Sequence, residues 1–312
     1  MPDDPPPQIL LSVVIPVYNY GHSLRRAVDS VLTQLQPGCE LLVVDDGSTD
    51  ETSQVLEEIQ ARNPPRFSWT RQDNAGAAAA RNTGMRCSHG DYLLFLDADD
   101  ELLPGALDAV CDAIRSGPQV SVILGGRLTR RTDGREKYQP PPSALPPDPC
   151  ARLADYLLRK RLGMGHGATV VRRDLISRRP YPEKLRGGED IPVFAFLFAH
   201  GEFAMLDRPL VRIYKHHDSL RHARAEADEQ KIKTLVEEVF AGLPETCRKL
   251  LDAYAARGYL SLSRIALRSG DTAAAGRYWR EAAKRDLIQA MRPGQIRKIL
   301  KAVLIERFRQ PN

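Results

Sequence analysis

Through the first hundred positions, apolar residues come in short unbroken runs, each emptying into polar turn residues. Residues 10–17 (LLSVVIPV), 40–44 and 92–96 (YLLFL) are such runs. Their length and their β-branched or aromatic content predict strands buried on both faces, and 67–71 is a plausible further strand. Between them the apolar period lengthens. Ser23 is placed to cap a helix carrying Leu24, Ala27, Val28, Val31 and Leu32, which Pro37-Gly38 ends. Asp50 should cap a helix over 51–62, and an Ala-rich helix covers 77–87. Strand and helix alternating in this way predict a parallel sheet with right-handed crossovers.

Beyond 100 the pattern predicts a helix over 101–115, a strand over 120–125, a helix over 151–161, a strand over 168–171, an aromatic helix over 191–200, and strands at 203–206 and 211–214. Six prolines within 140–149 restrict that stretch to an extended linker or surface loop. From about 226 the character is helical throughout. Residues 253–268 with 272–284 resemble one hairpin of the tetratricopeptide kind, and one pair is not an array. The expected division is a disordered leader over 1–9, an α/β domain over 10–225 and a helical region over 226–312.

Composition narrows the class. With 42% hydrophobic and 27% charged residues over 312 positions, the chain suits a soluble globular protein, and no run reaches the roughly 18 apolar residues of a membrane span. Residues 1–8, with four prolines, two acids and no basic or apolar core, do not read as a signal peptide. The cysteines, at 39, 87, 111, 150 and 247, are odd in number and scattered, which favours a reducing, cytoplasmic compartment. A net charge of +5 is too mild to call for nucleic acid. Arginine clusters at 127–135, 172–179 and 208–224 suit solvated surface, phosphate-bearing ligands or an anionic membrane face.

The candidate chemistry lies where the runs end. The strand over 92–96 empties into Asp97, Asp99 and Asp100, and the one over 40–44 into Asp45-Asp46. Carboxylates this close raise one another's pKa unless a cation neutralises them, so a divalent metal with hard oxygen ligands, Mg2+ or Mn2+, is the economical reading. Helix capping by Asp99 or Asp100 is the alternative. An EF-hand register from Asp97 fails, with Leu102 where Gly is needed. Ligands of open parallel sheets bind at carboxyl strand ends, so Tyr18-Asn19, Asp45-Asp46 and 97–100 should converge on one cleft.

With Val14-Ile15-Pro16-Val17-Tyr18-Asn19, residues 44–50 (VDDGSTD), the N-x-G-x-x-x-A-R-N-x-G element over 74–84, Asp97-Ala98-Asp99-Asp100 and Gly188-Glu189-Asp190 in this order, the chain resembles family 2 glycosyltransferases over about 10–220. The resemblance implies a GT-A fold, Rossmann-like with a mostly parallel central sheet between helices, here with an all-α extension. It also implies an inverting transfer from a nucleotide-sugar donor, with UDP-sugars favoured. Pro16, Tyr18, Asn19, Asp46 and Arg81 would bind the nucleotide, Asp97 would lie near the ribose, and Asp99, with His216 slightly preferred over His217, would hold Mn2+ or Mg2+. Asp190 would be the catalytic base, with Glu189 the runner-up and helix capping the bland alternative. His166 and Glu189 are candidate acceptor contacts.

The acceptor implied is a glycan or a lipid-linked hydroxyl of the bacterial cell envelope. Lacking Q-x-x-R-W and membrane spans, the chain does not resemble the processive synthases. Residues 295–309 alternate basic and apolar positions, which suits packing within the helical region or peripheral contact with the inner face of the plasma membrane. That region is also the candidate homodimer interface. A non-catalytic nucleotide-sugar-binding scaffold is the rival class, and a Rossmann dehydrogenase lacks its G-x-G-x-x-G after the first strand.

Overall fold

The computed structural model describes residues 9–62, 66–215 and 228–291. The leader (save Ile9), His216, His217 and the stretch 295–309 lie outside them. The chain divides into two compact units, Met1–Leu145 with Gly163–Ser219, and Pro146–Leu162 with Leu220–Asn312.

The first unit is built on a sheet of β1 (Leu11–Val17), β2 (Cys39–Asp45), β3 (Phe67–Arg71), β4 (Tyr92–Phe95), β5 (Glu101–Leu102), β6 (Val122–Arg130), β7 (Glu136–Gln139), β8 (Thr169–Arg172) and β9 (Phe203–Tyr214). The helices are α1 (Gly21–Leu32), α2 (Thr52–Arg62), α3 (Ala77–Cys87), α4 (Ala106–Ser116), α5 (Pro149–Leu153), α6 (Arg173–Ile176), α7 (Asp190–His200), α8 (Glu229–Ala241), α9 (Leu251–Ser269), α10 (Thr272–Arg285) and α11 (Leu287–Ala290). Of these, α5 and α8 to α11 belong to the second unit.

The strand order is β3-β2-β1-β4-β8-β6-β9-β5, with β7 on β6. From β3 to β4 all pairing is parallel. Beyond β4 the sheet is mixed: β8 runs antiparallel to both neighbours, and β6 and β9 are parallel. Alternation along β1 sorts its side chains. Leu11, Val13 and Ile15 join a core with Leu24, Val28 and Val31 of α1 and Leu107 and Val110 of α4, all fully buried. Each such side chain contributes about 1.5–3 kcal/mol. Val14 faces the other way, onto α3, where a Cβ at Gly84 would stand 2.2 Å from Val14 Cγ1. Glycine is what lets this helix lie on the strand.

Several expectations are corrected. The helix expected from 101 begins at Ala106, since Pro104 disfavours helical backbone at the residue before it; residues 101–102 instead pair with β9. The two strands expected at 203–206 and 211–214 are one, with a bulge opposite Gly125-Gly126. Ser23 does not cap α1. It lies inside the helix, and its Oγ donates to Ala98 O at 3.0 Å. Asp50 accepts from the N–H groups of both Gly21 (3.1 Å) and Thr52 (3.1 Å), serving the starts of α1 and α2 together.

In the second unit, Asp148 caps α5. The chain continues as a π-helical turn, Ala154–Arg159, where Arg257 Nη1 donates to Leu157 O (2.7 Å) and Leu158 O (2.5 Å). The α9–α10 hairpin turns on Gly270, in left-handed conformation, and on Asp271, which caps α10. The helix at 151–161, expected inside the α/β domain, is thus shared between α5 and the π-turn and groups with the C-terminal helices. The cysteines are also corrected: Cys150 and Cys247 form a disulfide across 97 positions, leaving Cys39, Cys87 and Cys111 free. Spacing arithmetic misses a pair that only tertiary folding brings together, and the argument from scattered thiols to a reducing compartment loses its ground.

Two outcomes are expected. Gly84→Ala forces Val14 aside and should cost about 1–3 kcal/mol in urea unfolding, by analogy with overpacked cores. Cys150→Ser should lower stability by about 2–4 kcal/mol, and reducing agent should destabilise the parent chain but not this variant.

Candidate functional site

Because β1, β2 and β4 are parallel and in register, Val17 opposite Asp45 and Val14 opposite Phe95, their carboxyl ends open on one edge of the sheet. Pro16 is half-buried at the end of β1, and Tyr18 beyond it is 45% exposed. Asn19 takes a left-handed φ of 56°, which asparagine tolerates. Its N–H donates to Ser48 Oγ (2.9 Å) and its Oδ1 accepts from Thr49 N–H (2.7 Å), so the two loops are tied.

Asp46 is buried beside them. Its Oδ1 accepts from Gln72 Nε2 (2.7 Å) and Ala75 N–H (2.9 Å), and its Oδ2 from Gly76 N–H (2.7 Å). The carboxylate therefore shapes the loop leading into α3, and any base edge reaching it would share Oδ2.

Asp97, Asp99 and Asp100 follow β4. The capping alternative is removed, since α4 starts six residues after Asp100 with Gly105 as its N-cap. Asp100 is buried and accepts from Tyr214 N–H at 3.2 Å. Burial first, then the charges of Asp97 and Asp99, push its pKa up to about 8. Asp97 and Asp99 are partly exposed. Among the described residues no three His, Cys, Asp or Glu side chains stand together as a ready-made metal cage. One or two carboxylates with a bound diphosphate suffice for Mg2+, however, so Asp99 with Asp97 fits an ion taken up with its substrate.

Arg81 links this edge to the second acidic element. It is buried on α3, with Nη2 2.9 Å from Asp97 Oδ1 and Nη1 3.0 Å from Glu189 Oε1. Burial opposes its charge, but Asp97, Tyr181 and Glu189 more than offset this and raise its pKa. Glu189 is the N-cap residue of α7 yet makes no side-chain capping bond. Asp190, the first residue of α7, has a raised pKa, from burial first and then from the neighbouring Glu189, while Arg81 pulls it down.

His166 packs among Phe95, Tyr181 and Phe194, with Nε2 3.0 Å from Tyr181 Oη and Nδ1 3.9 Å from Asp97 Oδ1. Burial and Arg81 lower its pKa to about 3, so the ring is neutral. Arg81, Asp97, His166, Glu189 and Asp190 thus form one cluster. Tyr181 completes it, a residue that the family motifs do not include; Pro180 and Pro182, which restrict the backbone on either side of it, are its signal in the sequence.

The sequence profile described as "Glycosyl transferase family 2" matches residues 12–179. The uncharacterized glycosyltransferase YibD of Escherichia coli is 42% identical over 94 residues, 30% of this chain and 27% of that protein. The minor teichoic acid biosynthesis protein GgaA of Bacillus subtilis is 32% identical over 134 residues, 41% of this chain and 30% of that protein. The chain spans about a third or less of the length of the first curated relatives it matches. Among solved structures, S. aureus TarS 1–349 in complex with UDP-GlcNAc superposes with a TM-score of 0.66 at 20% identity, over 96% of this chain and 92% of that one. That likeness covers residues of both units, the GT-A sheet unit and the helical one. With more than half its length matched by the profile and the acidic cluster at the strand ends, the chain belongs to glycosyltransferase family 2.

Proposed function

We propose that the protein transfers a sugar, with inversion, from a nucleotide-sugar donor, a UDP-sugar first, to a hydroxyl of a bacterial envelope glycan or lipid-linked acceptor. One observation carries the reading: Arg81 joins Asp97, at the nucleotide end of the sheet, to Glu189, the neighbour of Asp190. Donor-side and base-side carboxylates therefore belong to one cluster. The bacterial relatives and the UDP-GlcNAc complex of TarS support the donor and the envelope setting.

The nucleotide lies across Pro16, Tyr18 and Asn19, with Asp46 fixing the loop beside it and Asp97 towards the ribose. Asp190 takes the proton from the acceptor hydroxyl as its oxygen bonds to the anomeric carbon. The bond from that carbon to the diphosphate breaks, its electron pair leaves with the nucleoside diphosphate, and the anomeric configuration inverts. Mn2+ or Mg2+ at Asp99 and Asp97, when bound, supplies positive charge against the diphosphate. Neutral His166, held by Tyr181, offers a hydrogen-bonding group to the acceptor without adding charge.

Asp190→Asn should reduce turnover by about 10²–10⁴-fold, measured as nucleoside diphosphate release, while leaving the donor-induced thermal shift in place. Because Asp190 acts deprotonated and its pKa is raised, the acidic limb of the rate profile should lie above the ordinary carboxylate range. Glu189→Gln removes a like charge and should move that limb to lower pH. In a thermal-shift panel of UDP-, GDP- and dTDP-sugars with Mn2+, UDP-sugars should raise Tm the most. EDTA or Asp99→Asn should abolish the rise; a shift untouched by both would rule out the metal-assisted reading.

A further inference from the structure

The stretch that delivers Asp190 has little regular structure of its own. Between the end of α6 at Ile176 and the start of α7 at Asp190 there is neither helix nor strand. Gly187 and Gly188 there hold φ of 87° and 80°, which side-chain-bearing residues adopt only with strain. Its shape must come from neighbours, and two consecutive residues of α3 supply it.

Asn82 Nδ2 donates to Tyr181 O (2.9 Å) and Glu183 Oε1 (2.9 Å), while its Oδ1 accepts from Tyr181 N–H (2.9 Å). Arg81 holds the far end of the same stretch through Glu189 and extends to Asp97. Both are nearly fully buried, at 6% exposure for Arg81 and 5% for Asn82. A buried amide satisfied on both its donor and acceptor sides fixes a loop far better than surface contacts do.

Resting on the reading of Asp190 as the base, we infer that Arg81 and Asn82 are positioning residues that moor 181–189 at both ends and so set where the Asp190 carboxylate stands relative to the donor. The family resemblance assigns Arg81 to the nucleotide instead. Its two terminal nitrogens are engaged by carboxylates, and only Nε, buried, has no hydrogen-bond partner among the described residues. Asn82 has no role in that assignment. A lysine at 81 would keep the charge but not the fork that grips two carboxylates at once.

The experiment compares Asn82→Ala, Arg81→Lys, Arg81→Gln and Asp190→Asn in the full chain. It uses nucleoside diphosphate release from whichever sugar nucleotide of the UDP, GDP and dTDP panel turns over fastest, with hydrogen–deuterium exchange across 181–190 in the free protein. Asn82→Ala should lower kcat about 10- to 100-fold, the scale of a misplaced catalytic group, at a donor KM within about twofold of the parent, and should speed exchange at Tyr181. The groups facing Asp190 are Glu189, Arg81, Asp97 and Tyr181. Removing the one cation among them, in Arg81→Gln, should therefore move the acidic limb to higher pH, and Arg81→Lys should restore the limb without restoring kcat.

A raised donor KM at unchanged kcat in the Arg81 variants, or parent-like exchange and kcat in Asn82→Ala, overturns the proposal. Should Asn82→Ala fail to fold, Glu183→Ala, which removes one exposed partner of the same amide, is read in its place by the same criteria. Parent-like turnover by Asp190→Asn would remove the base reading, whereas an inactive Asp190→Asn beside a full-speed Asn82→Ala removes only the positioning inference.

Discussion

A guanidinium withdrawn from water must be met by carboxylates, and Arg81 imposes that requirement on the acidic cluster at the strand ends. Its position is fixed from below, because α3 lies against β1 at Gly84. Two acids from distant parts of the chain, Asp97 and Glu189, must therefore reach the same point. The convergence has an electrostatic return. The acid-rich cluster would otherwise drive its members towards protonation, and one interior cation tempers that for Asp190, while burial and the charges of Asp97 and Asp99 push Asp100 up to about 8.

The sheet divides labour along the same line. From β3 to β4 the strands are parallel, and their shared carboxyl edge presents the loops that carry Asn19, Asp46 and Asp97. At β8 the direction reverses. The turn entering β8 carries His166, so the reversal brings that ring to the edge where Asp97 already stands, whereas the chain leaving β8 starts opposite Tyr92 at the other end and returns through α6 to set Tyr181 against His166. An all-parallel sheet of this order would send the turn that carries His166 to the opposite end.

Much of the first half was legible because local signals agree there. Unbroken apolar runs marked β1, β2 and β4, the turn chemistry of Asp50 marked α2, and the ordered motifs named the family. Legibility failed where a choice depended on distant partners. Glu101 reads as helix until Arg212 and β9 are known, and β7 is short, exposed and visible only as a partner of β6. In the site, residue types were readable but commitments were not. Asp46 reads as an acceptor open to a base, yet three internal donors take it, and Asn82 is a plain polar residue on a helix until Tyr181 folds onto it. Cys150 and Cys247 gave no signal at all, for their proximity is a product of the fold.

The interleaving of the two units carries a consequence for how the molecule can be divided. Residues 146–162 leave the first unit, supply buried Leu153 and Leu157 and one half of the disulfide to the second, and return. No single cut of the backbone releases either unit whole. A fragment stopped after β9 would keep this excursion but lose the helices packed on it, leaving an orphaned greasy loop and an unmated thiol on an otherwise complete α/β unit. The helical portion is therefore not a detachable tail: shuffling it between relatives would require exchanging two segments in concert.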